Sequence, residues 1–231
     1  MKRYLKLLVV LTVVFPVAVL AAACGAKAQP LEGVYDLERV TIKGQTFTAA
    51  DYKKVETDDG DTYELINNDK IDKIFDSLTD GEKTALYDAV NNAVSGSPDN
   101  NLYSDIISTL TGDTSETYVK ACLIFNVKIF ANILNASDLL GEGGHIMQID
   151  LTDDGGYTLT TFMTNGTVDI TVNGNLITEV TDDQEPQELS WNKSNGTLTA
   201  ADTLISKDDV NGVAVSLTFI RSGDVPQVII F

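Results

Sequence analysis

From His145 to the C-terminus, apolar side chains recur at every second position and Asx–Gly pairs interrupt them at short intervals. This alternation constrains the fold more than any other feature of the chain. Only a half-buried strand sends successive side chains to opposite faces. Met147, Ile149 and Leu151 alternate with Gln148 and Asp150, and Asp153-Asp154-Gly155-Gly156 turns the chain. Tyr157, Leu159, Thr161 and Met163 follow, ending at the hairpin signal Asn165-Gly166. Val168, Ile170 and Val172 lead to Asn173-Gly174-Asn175, and Leu189 and Trp191 lead to Asn195-Gly196. The Thr197–Ser206 stretch and Val213, Val215, Leu217 and Phe219 continue the series, with Val228–Phe231 as a last edge. Short strands joined by such turns predict an antiparallel up-and-down meander, most simply a closed barrel of about eight strands.

A further strand pattern lies upstream. In Gly33-Val34-Tyr35-Asp36-Leu37-Glu38-Arg39-Val40 the side chains of Tyr35, Leu37 and Arg39 share one side, and Gly44 turns the chain. Between these β regions the period changes. Ile71, Ile74, Phe75 and Leu78 have the three–four spacing of a helix face. Thr79 and Glu82 form a capping box, opening a helix that carries Leu86, Ala89 and Val90 and stops near Gly96 and Pro98. A short helix is predicted over Leu102–Leu110. A longer one is predicted over Ser115–Leu134, with Tyr118, Cys122, Phe125 and Ile129 on one face, although this segment also reads as a buried strand. Lys120, Asn126, Lys128 and Asn132 interrupt it too often for a membrane span. The fold class is therefore mainly β with a helical insertion (α+β), the insertion covering about residues 51–142 after the first strand.

The first residues carry an address. Lys2, Arg3 and Lys6 precede an apolar stretch from Leu7 to Leu20, and Ala21-Ala22-Ala23 precede Cys24. A basic start, a short apolar run and small residues describe a secretory signal peptide over 1–23, too short to span a bilayer as a helix. Leu-Ala-Ala-Ala-Cys resembles the bacterial lipoprotein signal, which implies that the Cys24 thiol receives a diacylglyceryl group. The alternative is ordinary secretion, with cleavage after Ala23 or after Ala28. Two or three acyl chains would hold the protein stably on a membrane, where one gives only marginal binding. Gly25 after the cysteine resembles an outer-membrane destination if the host has two membranes. Residues 24–30 read as a tether. With Cys24 acylated, Cys122 has no partner for an internal disulfide, and its apolar surroundings mark it as a structural thiol. Loss of residues 1–23 removes three of 16 basic residues and none of 34 acidic ones, so the 208-residue mature chain carries a formal net charge of −21. That excess of acid argues against nucleic-acid binding.

Gly33-Val34-Tyr35 soon after the cysteine, followed later by Asp154-Gly155, Asn165-Gly166, Asn173-Gly174 and Asn195-Gly196, resembles the lipocalin-like lipoproteins of bacteria. The resemblance covers about residues 31–47 and 145–231. It implies a barrel held outside the cytoplasm on a lipid anchor, with a small apolar ligand or an envelope protein as partner and no cofactor. It also implies that Arg221, two residues beyond Phe219 and of the same parity, packs on the ring of Tyr35; otherwise Arg221 lies wet at a strand end. Tyr35, Met147, Leu159, Met163, Ile170, Leu217 and Phe219 form the inward set, read either as the lining of a cavity or as core.

Little in the chain suggests catalysis. His145, the single histidine, follows a Gly-Glu-Gly-Gly run and reads as a solvated loop residue. No Gly-x-Ser-x-Gly elbow and no phosphate-binding glycine loop occurs. The acidic clusters Asp58-Asp59-Gly60-Asp61, Asp150–Asp154 and Thr181-Asp182-Asp183 lack the spacing of a calcium loop and read as turns. The expectation is a non-enzymatic lipoprotein without metal. A structural or inhibitory protein acting through the acidic helical insertion is the alternative, and a hydrolase comes last.

Overall fold

The alternating segments form strands that close on themselves. A computed structural model describes residues 28–57, 60–96, 103–136, 145–161, 166–180, 187–204 and 212–225. The chain divides into two compact units. One comprises Val40–Leu134 with Thr203–Val215, and the other the described residues of Leu11–Arg39, Asn135–Asp202 and Ser216–Phe231.

The second unit holds the barrel. Its strands are β1 (Gly33–Ile42), β5 (Met147–Leu151), β6 (Tyr157–Thr161), β7 (Gly166–Asn173), β8 (Leu176–Glu179), β9 (Glu188–Asn192), β10 (Thr197–Thr203) and β11 (Ala214–Gly223). They pair in the order β11-β10-β9-β8-β7-β6-β5-β1, and β11 pairs with β1, so eight strands close into an antiparallel barrel. The register follows the alternation. Tyr35 faces Met147, Ile149 faces Leu159, Val172 faces Ile177, Ile177 faces Leu189, and Trp191 faces Leu198. Directly opposite residues share a face, so this apolar set lines one side of the sheet. Along β9 the Leu189 and Trp191 side chains are buried while Glu188, Ser190 and Asn192 are exposed.

Strand β1 changes parity along its length. Tyr35 and Leu37 are buried in its first part, Val40 and Ile42 in its last. The switch coincides with the boundary between the units at Arg39 and Val40, and so one strand serves two cores. Val40–Ile42 pairs with β2 (Gln45–Phe47), whose Phe47 is fully buried.

The first unit is not purely helical as expected. Its inserted segment opens with a hairpin, β3 (Tyr52–Thr57) and β4 (Gly60–Leu65), before α1 (Asp69–Ser77), α2 (Asp80–Gly96), α3 (Ser104–Thr109) and α4 (Thr114–Leu134). The capping box at Thr79 forms as predicted: its amide donates to Glu82 Oε2 at 2.8 Å and the Glu82 amide to Thr79 Oγ1 at 3.2 Å. The segment read as helix or buried strand is the helix α4, with 11 buried residues. The predicted face is not the buried one, because Tyr118, Phe125 and Ile129 are only half-buried. Neighbours on several sides (α1, α2, α3 and β4) bury α4 nearly all round, leaving no single apolar stripe. Tyr118 stacks on Tyr87 and Phe125 tilts against Tyr103. The helix is long and apolar enough to cross a membrane, yet it is the core of this unit. Cys122, 2 % exposed, lies within it; burial pushes its thiol up to about 12, outweighing the hydrogen bonds from Tyr103 and Asn126, and the sulfur is inert at neutral pH.

Candidate binding site

A closed barrel of eight strands has room for one small ligand or for its own side chains. Its inward face is the candidate site. Tyr35, Met147, Leu159, Ile170 and Phe219 are all buried, between 0 and 6 % exposed, and Leu217 is half-buried. Strand register pairs two of them directly, Tyr35 with Met147 across β1–β5, and sets Ile170 opposite Tyr157 across β6–β7, with Leu159 next on the same face. Met163 and the lipidation position Cys24 lie outside the described residues, as do the signal peptide and the Val228–Phe231 edge.

One end of the barrel is finished by the segment before β1. The Gln29 amide donates to Lys193 O at 2.9 Å. Leu31 is 3 % exposed, and the Tyr35 hydroxyl donates to its carbonyl at 2.5 Å. Burial pushes the Tyr35 phenol up to about 12, only partly offset by the charge of Arg221, so it remains a neutral donor at all physiological pH.

Arg221 is engaged differently from the stacking expected on the Tyr35 ring. Its Nε donates to Glu32 O at 3.0 Å and its Nη2 pairs with Asp224. The cation–π contacts among the described residues belong to lysines: Lys70 on Phe47, Lys83 and Lys120 on Phe75, and Lys193 on Trp191. To reach Glu32 O the guanidinium crosses Gly33. A Cβ there would lie 2.5 Å from Arg221 Nε and 2.7 Å from Gly223 O, and φ is +155°. The glycine of the Gly-x-Tyr element is thus required by a close approach and by a backbone conformation that other residues avoid.

His145 is not the solvated residue expected from its glycine-rich approach. Its Nδ1 lies 3.1 and 3.3 Å from the two Asp36 carboxylate oxygens and 3.3 Å from Ser222 Oγ. Asp, His and Ser are together, but the carboxylate and the hydroxyl share one ring nitrogen. A relay that activates serine needs them on opposite nitrogens, and so this trio fastens β1, β11 and the entry to β5 rather than forming a nucleophile. The acidic cluster before Tyr157 is a turn as read: Asp154 Oδ1 accepts from Thr152 Oγ1 at 2.5 Å and from the Gly156 amide at 3.4 Å.

Two polar groups on the inward face escaped the sequence reading. Glu179 faces Ile170 across β7–β8, and burial, outweighing a bond from the Gln187 amide, raises its carboxyl above the usual range. Trp191, 8 % exposed, has an Nε1–H that meets no acceptor among the described residues. Only the parity of these two residues with Ile177 and Leu189 could have marked them. Compared with known proteins, the chain matches no family model, no curated protein and no solved structure.

Proposed function

We propose that this chain is a non-enzymatic cell-envelope lipoprotein that holds a small apolar ligand inside a lipocalin-like barrel. The observation that carries this reading is the closed eight-stranded barrel whose inward face is apolar from Tyr35 round to Phe219. A site of this kind binds by removing apolar surface from water, with a few polar groups to fix orientation. The basic and apolar leader followed by Cys24 supports an extracytoplasmic place for it, with the acylated cysteine as anchor. In that arrangement the described tether residues 28–30 lead directly into the segment that finishes one end of the barrel.

The reading in which the helical unit binds a protein partner has less to rest on. Ile66 is the large apolar side chain exposed in that unit among the described residues, whereas the others exposed lie in the barrel unit. Titration with N-phenylnaphthylamine tests the ligand reading. Saturable enhancement of its fluorescence at one probe per chain is expected, and an absence of saturable binding contradicts it.

A further inference from the structure

Asn–Gly pairs occur at Asn165, Asn173, Asn195 and Asn211. Such a pair is more than a turn signal. The glycine amide nitrogen can attack the Asn carboxamide, and no Cβ stands in its way. Asn173-Gly174 and Asn195-Gly196 lie wholly within the described residues, both in the barrel unit. The fold treats them differently. Asn195 Oδ1 accepts from the Thr197 amide at 3.2 Å and from Thr197 Oγ1 at 2.8 Å. The Gly196 amide donates to Asn192 O at 3.0 Å, and the Arg221 amide donates to Gly196 O at 2.9 Å. Gly196 is buried, and a Cβ there would lie 3.3 Å from Gln29.

Asn173 pairs with Leu176 across Gly174 and Asn175, with Gly174 at φ +67°, a two-residue hairpin turn with glycine first. Residues 173–176 are all exposed, and nothing lies within 4 Å of a Cβ placed on Gly174. Among the described residues no hydrogen bond holds the Asn173 carboxamide or the Gly174 amide. The Trp191 amide holds Asn175 O at 2.7 Å, beyond the reacting atoms. Bringing the Asn173 carboxamide onto the Gly174 amide therefore opens one terminal strand pair, whereas the same rotation at Asn195 breaks four hydrogen bonds and displaces a buried glycine.

We propose that Asn173 is a self-modification site and that the fold protects Asn195. The Gly174 nitrogen attacks Asn173 Cγ, a C–N bond forms, and the carboxamide nitrogen leaves as ammonia with the amide proton. Water then opens the succinimide at either carbonyl, giving aspartate or isoaspartate. Each event adds a negative charge, and the isoaspartyl product also adds a carbon to the main chain at the end of the β7–β8 hairpin. This end of the barrel thereby records the time since the chain was made, whether or not a ligand is bound.

The full chain is held in mildly alkaline buffer, folded and in guanidinium, and mapped over weeks by mass spectrometry with electron-transfer fragmentation, which distinguishes isoaspartate from aspartate. In the folded chain Asn173 is expected to convert about tenfold faster than Asn195, since local opening is easier at an exposed hairpin tip. In guanidinium the two rates should converge. Equal rates in the folded chain, faster conversion of Asn195, or no conversion of Asn173 while the denatured chain reacts overturns the proposal. A difference that persists unchanged in guanidinium overturns it too, by assigning the selectivity to local sequence.

Discussion

The two units differ in two polar groups that the barrel draws in and matches poorly. In the unit that carries the helices, several charges drawn inward have a partner of opposite sign. Glu82 meets Lys43 at 2.7 Å and closes the Thr79 capping box; Lys70 meets Asp51 and donates to Thr46 O; Lys120 lies 2.7 Å from both Asp72 and Glu116. Buried neutral donors are matched too, with the Tyr52 hydroxyl on Val127 O and the Asn126 amide on Cys122 O. The barrel behaves differently. Glu179 is half-buried with its carboxylate accepting from the Gln187 amide, and the Trp191 N–H meets no acceptor among the described residues. A fully satisfied polar network rigidifies a core, whereas a buried polar group left unmatched costs stability.

The pH dependence of the units should therefore differ in sign. For Glu82 and Asp51, burial alone would raise the pKa, but the lysine partners and the threonine hydrogen bonds outweigh it and the net shift is downward. Groups lowered in the folded state stabilise it above their unfolded pKa of about 4, and lose that contribution as pH falls through the folded value. Glu179 is raised by burial, so its contribution is full below an unfolded pKa of about 4.3 and is lost as pH rises through the folded value.

The strongest challenge to the barrel is Gly33→Ala. The new Cβ would displace Arg221 or the Gly223 carbonyl, and a loss of about 3 kcal/mol is expected in urea unfolding followed by Trp191 emission. A change below about 0.5 kcal/mol would show that the close approach does not matter. In the helical unit, Glu82→Gln removes the ion pair with Lys43 and weakens the capping box, at an expected cost of about 1–2 kcal/mol at neutral pH by circular dichroism. The difference from the parent should shrink toward zero as pH falls below the folded carboxyl pKa. The smallest effect sharpens the contrast most. Glu179→Gln should gain stability relative to the parent as pH rises from the acid side, the reverse of the Glu82→Gln trend, and parallel trends would dissolve the comparison.

How much of this was legible in the sequence depended on how local the cause was. Strands β5, β6, β7, β9, β10 and β11 announce themselves through their own alternation and, for most, an Asx–Gly turn, whereas the four-residue β8 went unread because it is too short to show a period. The Thr79 capping box is equally local. The β3–β4 hairpin went unread because its strands are largely exposed and carry charge, as in the Lys53–Glu64 pair at 3.2 Å, so no apolar alternation marks them. The buried face of α4 was misread because a helix surrounded on several sides has no preferred stripe to find. Arg221 was assigned the correct neighbourhood but an aromatic partner, since a backbone carbonyl such as Glu32 O leaves no trace in a sequence. His145 meets Asp36 across 109 residues, a distance over which composition says nothing. The missing acceptor of Trp191 is likewise a property of assembled strands, and no residue type signals it.

The proposed function has the barrel held outside the cytoplasm on an acyl tether at Cys24. The most direct test is to feed labelled palmitate to cells making the parent chain and to cells making Cys24→Ser, and then to separate membrane from soluble fractions. The account predicts label and membrane retention for the parent, and neither label nor retention for Cys24→Ser. Equal label and equal retention in the two would contradict it.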